Sequence, residues 1–151
     1  MTTDEITDLL TEAYLDELET VMNYMTNAIV LDGIHAEEVK ESLEEDIQEE
    51  LEHARMLGQR LKQLDESPPG SEAFEAQQAN LQPPEDTTDV RSVIEGVLEA
   101  EEDAIETYRS LAAAADDAND PVTEDVAVTL LVDEEAHRTE FRGFQKEFPT
   151  D

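Results

Sequence analysis

Two Glu-x-x-His pairs, Glu50 and His53 within EELEHA and Glu134 and His137 within DEEAHR, are the residues best equipped for chemistry in this sequence. A spacing of three puts carboxylate and imidazole on one face of a helix, about one turn apart. Hard carboxylate oxygens with neutral imidazoles suit iron or manganese, and zinc accepts the same donors. The pairs belong to a larger pattern. A shift of 84 residues lays Glu17 on Glu101, Tyr24 on Tyr108, Ala28 on Ala112, Glu50 on Glu134 and His53 on His137, without a gap. In a chain with 41 acidic residues one such pair is a modest signal. Two pairs in register with two Glu-(x)6-Tyr elements, all on apolar seams, carry far more. Four carboxylates and two imidazoles are therefore expected to converge: Glu17, Glu50, His53, Glu101, Glu134 and His137. Glu19, Glu99 and Glu102 are near in sequence, and only the seam and the repeat set them aside.

The elements that must position these residues are helices. Apolar residues recur at helical spacing in four stretches. The first carries Leu10, Tyr14, Val21, Tyr24, Ala28 and Leu31 and stops at Asp32-Gly33; the second runs from Val39 to Leu64. The third runs from Val90 to the alanines before Asp116-Asp117. The fourth opens at Pro121, a favoured first-turn residue, with Asn119 or Asp120 as its cap, and stops at Pro149. No β-type alternation persists over four residues. Short links join the first helix to the second and the third to the fourth, so each pair should form an antiparallel hairpin. Between the hairpins lie 24 residues, Asp65 to Thr88, with four prolines. A segment of that length reaches about 80 Å when extended, against about 40 Å for each helix. An all-α fold follows: a single domain over residues 1–151, a four-helix bundle of two hairpins with one long crossover at about 65–88.

Around the centre, Glu49 and Asp133 each precede a Glu of the pairs and are placed to hydrogen-bond a histidine of the opposite hairpin. A solvated acidic flank is the alternative reading. Tyr24 and Tyr108 lie on the stripe of Glu17 and Glu101, as partners of those carboxylates or as plain aromatic core. His35 reads as a surface residue, and Met22, Met25 and Met56 as gap-fillers in the core.

With these residues in place the sequence resembles the ferritin-like superfamily, in its bacterioferritin and rubrerythrin-like branch. The resemblance spans about residues 8–147 and rests on DEL-x4-NYM at 16–25, EELEHA at 49–54, EAEEDAIETY at 99–108 and DEEAHR at 133–138. It implies a ferritin-like bundle holding two iron ions per chain, with manganese or zinc as alternatives. Glu17 and Glu101 would be terminal ligands, Glu50 and Glu134 would bridge, and His53 and His137 would each cap one metal. The implied activity is a ferroxidase that oxidises Fe(II) with oxygen or hydrogen peroxide, storing iron where a cage forms. A rubrerythrin-like peroxide scavenger, a dimanganese catalase-like enzyme and a non-enzymatic helical module with a structural metal pair are the alternatives. A homo-oligomer, dimer or larger cage, is implied as well. The departures are specific. Leu51 stands where bacterioferritins place a haem methionine, so no haem is expected. Ala104 stands where rubrerythrins carry a further Glu, and a chain without Cys cannot form their rubredoxin iron site.

Composition narrows the rest. The formal net charge is −32, with six arginines against three lysines. Such a charge repels nucleic acid and anionic lipid, and no apolar run approaches a membrane span. A cytoplasmic protein is expected, since the acidic N-terminus is unlike a signal peptide. An acidic, lysine-poor surface over a patterned core points to a halophile, where ions screen self-repulsion. Lowering the salt from 1 M to 0.1 M lengthens the Debye distance from about 3 Å to about 10 Å. Metal-free protein should therefore melt at a lower temperature in dilute buffer than in molar KCl; equal melting in the two would refute the salt reading.

Overall fold

The computed structural model describes residues 3–148. Four helices carry the fold: α1 (Thr3–Val30), α2 (Glu37–Gln63), α3 (Val90–Asp117) and α4 (Pro121–Gln145). There is no strand among the described residues. Among the described residues no helix is long and apolar enough to cross a membrane. The helix boundaries have local causes. Asp89 caps α3 by accepting from the Ser92 amide, and Asp120 caps α4 by accepting from the Thr123 amide. These bonds satisfy amides that have no partner inside a helix. Asp120, rather than Asn119, is thus the cap.

α2 and α3 end alike. Asp65 and Asn119 take left-handed backbones, at φ 63° and 56°. Just beyond them, the Glu66 amide returns to the Leu61 carbonyl and the Asp120 amide to the Ala115 carbonyl. This is the pattern that satisfies the last carbonyls of a helix, and Asp and Asn tolerate the conformation it requires. Gly33, at φ 102°, turns the chain between α1 and α2. α4 ends at Gln145, followed by a turn through Phe148, so the fourth helix is shorter than its apolar pattern suggested. Phe148 still packs against the core from outside the helix. Pro149, where the sequence placed the stop, lies outside the described residues.

α1 packs on α2 and α3 on α4, and the hairpins meet mainly through α1 against α3, less through α2 against α4. The interior is two apolar clusters rather than one. Tyr24, Leu31, Leu43, Ile94 and Phe141 anchor the cluster at one end. Leu10, Leu57, Leu61, Tyr108, Leu111 and Leu130 anchor the other. Between them lies a polar layer. Met22 and Met25 are not gap-fillers: both are exposed on the outer face of α1, because Tyr24 and Ala28 turn the opposite face inward. Met56 is half-buried, and His35 is exposed, its ring edge-on to Phe148.

The crossover is strapped along α1 and α3. The Glu19 carboxylate, buried beside Glu17, accepts from the Gln77 and Gln78 amides. Asn23 donates to the Gln78 side chain, which in turn donates to Thr20, and Asn27 donates to the Leu81 carbonyl. On α3, Gly96 lets the strap approach: a Cβ there would stand 2.2 Å from the Asn80 carbonyl oxygen. Gly96→Ala should cost about 1–3 kcal/mol from this overlap, more than the helix propensity it gains, and lower Tm by several degrees. Gly143→Ala on exposed α4 meets nothing within 4 Å and should be neutral or mildly stabilising. Calorimetric melting of the two variants checks the contrast.

Candidate metal centre

The polar layer contains all six residues singled out by the repeat. Each helix contributes near its middle: Glu17 from α1, Glu50 and His53 from α2, Glu101 from α3, Glu134 and His137 from α4. All six are buried, His137 being the most exposed at 6%. Their oxygen and nitrogen atoms form two overlapping groups, each with its donor atoms within 4.8 Å of one another. One group is Glu17, Glu50, His53 and Glu134; the other is Glu50, Glu101, Glu134 and His137. Glu50 and Glu134 belong to both. Each group could hold a metal ion, and the two would share two carboxylates.

Both imidazoles turn Nδ1 inward. His53 Nδ1 lies 3.4 Å from Glu17, 3.7 Å from Glu50 and 3.3 Å from Glu134. His137 Nδ1 lies 3.1 Å from Glu50, 3.5 Å from Glu134 and 3.8 Å from Glu101. These atoms are close but unsatisfied. Both Nδ1 atoms, both Glu50 oxygens and one oxygen each of Glu17, Glu101 and Glu134 lack a hydrogen-bond partner. Buried polar atoms are almost always paired, so seven orphans in one layer fit a cation pair held by oxygen and nitrogen.

The outer contacts cross from one hairpin to the other. His53 Nε2 meets the Asp133 carboxylate at 2.9 Å, and His137 Nε2 meets Glu49. Tyr24 donates to Glu101, and Tyr108 donates to Glu17 at 2.9 Å. Of the rival carboxylates, Glu19 holds the crossover, Glu99 accepts from Asn80, and Glu102 pairs with Arg138 and Arg142. None joins the centre. One residue escaped the sequence reading. Asp46 is buried on α2 with Oδ1 3.4 Å from His137 Nε2. Its signal was present, since it lies four residues before Glu50 and seven before His53 on one helix face. The repeat concealed it, because a shift of 84 lays it on Leu130.

Proton affinities follow from this crowding. Burial, then the charges of Glu17 and Glu134, push Glu50 well above the usual carboxylate range. Burial and the Glu134 charge do the same to Glu101. Burial also pushes Glu134 up, but the two imidazoles facing it outweigh that and hold it low. For His53, burial favours the neutral ring, yet Glu134, Glu17 and Glu50 hold its pKa far above normal. His137 is likewise raised, to about 11, by Glu134, Glu101 and Asp46 against the opposing effect of burial. Burial and the nearby carboxylates keep both tyrosines neutral donors. The metal-free centre thus carries protons in place of cations.

A cleft of about 390 Å³ between α1 and α3 reaches this layer at Glu17, lined by Glu12, Asp16, Asp103 and Glu106. Burial, then the charges of Glu12, Glu17, Glu19 and Asp103, push Asp16 up to about 7.

A family model described as a ferritin-like domain matches residues 7–150. No curated protein matches the chain in sequence. Among solved structures, a dodecameric thioferritin, the bacterioferritin-related protein of Bacteroides fragilis, is similar with a TM-score of 0.86 and 23% identity. The match covers 98% of this chain and 88% of that one. A ferritin-like diiron-carboxylate protein of Bacillus anthracis gives a TM-score of 0.83 at 24% identity, over 96% of this chain and 99% of the other. The bacterioferritin of Desulfovibrio desulfuricans gives 0.80 at 20%, over 95% and 79%. At these identities the likeness is one of fold.

Imidazole must be deprotonated at the atom that binds a metal. Both His pKa values are raised in the metal-free state, and so are those of Glu50 and Glu101, so loading at pH 7 should release about four protons per chain, two from imidazoles and two from carboxyls, and affinity should rise with pH. Titration with two divalent ions in weak buffer, followed by pH-stat, reads this directly; proton-neutral loading would refute it. Glu50→Ala or Glu134→Ala should lose more metal than Glu17→Ala or Glu101→Ala, because both positions lose a donor.

Proposed function

On the premise that this chain belongs to the ferritin-like domain family, we propose that it is a di-iron ferroxidase that takes Fe(II) to Fe(III) with oxygen or hydrogen peroxide. The observation that carries the reading is the pair of overlapping donor groups with Glu50 and Glu134 in common. The proposed ligands are Glu17, Glu50, His53, Glu101, Glu134 and His137. Two irons held there would supply one electron each to the oxidant. The protein's own part is to hold, orient and desolvate. Glu50 and Glu134 draw the two positions together. Tyr24 and Tyr108 fix one oxygen each of Glu101 and Glu17, leaving the other buried without a partner. Asp133 and Glu49 fix the imidazole planes from outside. The apolar clusters above and below exclude water from the layer.

The acidic cleft at Glu17 suits the approach of a divalent cation, since carboxylates around a concave site concentrate such ions. The surface supports assembly. Met22, Met25 and Ile29 on α1 and Leu51 on α2 are exposed apolar side chains. On α1 the three continue the helical stripe from half-buried Leu18. A second copy of the chain is the proposed occupant of that face. The dodecameric state of the Bacteroides protein and the diiron site of the Desulfovibrio bacterioferritin support the same reading. With Ala104 bordering the cleft, that position supplies no further carboxylate.

Anaerobic metal-free protein given two Fe(II) per chain, then oxygen or peroxide in separate runs, should oxidise both irons much faster than free Fe(II) in the same buffer. A Glu50→Ala/Glu134→Ala variant should lose that advantage. Continued additions separate the outcomes: hundreds of soluble irons per assembly mean storage, and arrest after two means none. No acceleration with either oxidant would end the ferroxidase reading.

A further inference from the structure

The two hairpins repeat the six central residues but not what stands behind their imidazoles. His53 Nε2 has one carboxylate, Asp133, and that side chain is 40% exposed. His137 Nε2 has two: Glu49 and, 3.4 Å away, Asp46. Asp46 is only 4% exposed, and its second oxygen has no partner. Its repeat counterpart, Leu130, is fully buried in the apolar cluster below the centre. The same helical register thus supplies a buried carboxylate in one hairpin and a hydrocarbon in the other.

We propose that Asp46 is a positioning residue that makes the two cation positions unequal: the position of Glu101 and His137 fills first and holds its cation more tightly than that of Glu17 and His53. This rests on the metal-centre reading above. A cation on Nδ1 draws electron density from the ring and leaves Nε2–H more positive. A carboxylate behind that nitrogen stabilises the polarised ring and strengthens the metal bond. Two carboxylates do so more than one, and a buried one more than an exposed one, because solvent and salt screen the latter. The acidic cleft on the Glu17 side works in the opposite direction. Asp16 there is half-buried, but no cleft carboxylate other than Glu17 touches an imidazole nitrogen, and Glu12, Asp103 and Glu106 are exposed. In molar salt their field is largely screened while that of Asp46 persists.

The test is anaerobic titration of metal-free full-length protein with Co(II) in 1 M KCl, read by its visible bands and by calorimetry. The wild type should bind two Co(II) per chain in two steps at least tenfold apart. Asp46→Asn, nearly isosteric, should weaken the tighter step by about ten- to a hundredfold and spare the weaker one. Two backgrounds locate the effect. With His53→Ala, the remaining tight step should weaken on adding Asp46→Asn; with His137→Ala, the remaining step should not respond. Should Asp46→Asn fail to fold, Asp46→Leu, which copies position 130, replaces it. Equal affinities in the wild type, or equal losses in both backgrounds, would overturn the proposal while leaving the metal centre intact. Co(II) binding that survives Glu50→Ala/Glu134→Ala undiminished would instead overturn the centre itself.

Discussion

Four carboxylates buried in one layer of a helical bundle set the terms for everything else in this structure. A carboxylate removed from water is costly unless it is neutralised and hydrogen-bonded, and here Glu17, Glu50, Glu101 and Glu134 compete for the same few ångströms. Two devices keep the metal-free fold viable: protons on the two imidazoles, and protonation of the carboxylates that the imidazoles cannot balance. Both are stand-ins. A site whose charge is balanced by protons at neutral pH is one in which cations can take their place.

The same requirement explains why the hairpins are cross-linked at the centre. α2 and α4 meet only sparsely, and the crossover is bound to α1 and α3. Yet Tyr24 reaches Glu101, Tyr108 reaches Glu17, His53 reaches Asp133 and His137 reaches Glu49, each from one hairpin to the other. Each tyrosine belongs to an apolar cluster while its hydroxyl belongs to the polar layer. Core packing and the orientation of the central carboxylates therefore rest on the same side chains. Loss of one tyrosine hydroxyl would leave the packing in place and free a central carboxylate to rotate.

Much of this was legible because a near-symmetric site leaves a near-symmetric sequence. The shift of 84 picked out Glu17 and Glu101 from an acidic background, and the all-α bundle with its long crossover followed from seams and link lengths. What the repeat could not reveal is what breaks it. Asp46 has a leucine for a counterpart, and Glu19 has Asp103, so neither is reinforced by its partner. Glu19 is held by the crossover amides, a contact between residues nearly 60 apart that no local pattern encodes. Met22 and Met25 show the opposite limit. Their helical spacing was visible, but hydrophobicity alone does not tell an inward face from an exposed one.

The charge of this protein is finally two separate electrostatic problems. Most of the 41 acidic residues lie on the surface, where mobile ions reach them and ionic strength sets their mutual repulsion. The four central carboxylates are buried between apolar clusters, where salt screens them far less and a bound cation or a proton lowers their energy. Asp16 and Asp46 mark the boundary: each is pushed up to about 7, Asp16 by burial and then its acidic neighbours, Asp46 by burial against the opposing pull of His137. One borders the cleft on the α1–α3 side, the other stands behind His137 on the α2 side. Surface and centre are therefore joined on two opposite sides of the bundle, and the sides differ in kind. The α1–α3 side is a cleft that reaches Glu17. The α2 side is closed by side chains that hold an imidazole in place. The two sides of a centre drawn from a repeated hairpin thus differ, through residues outside the repeat.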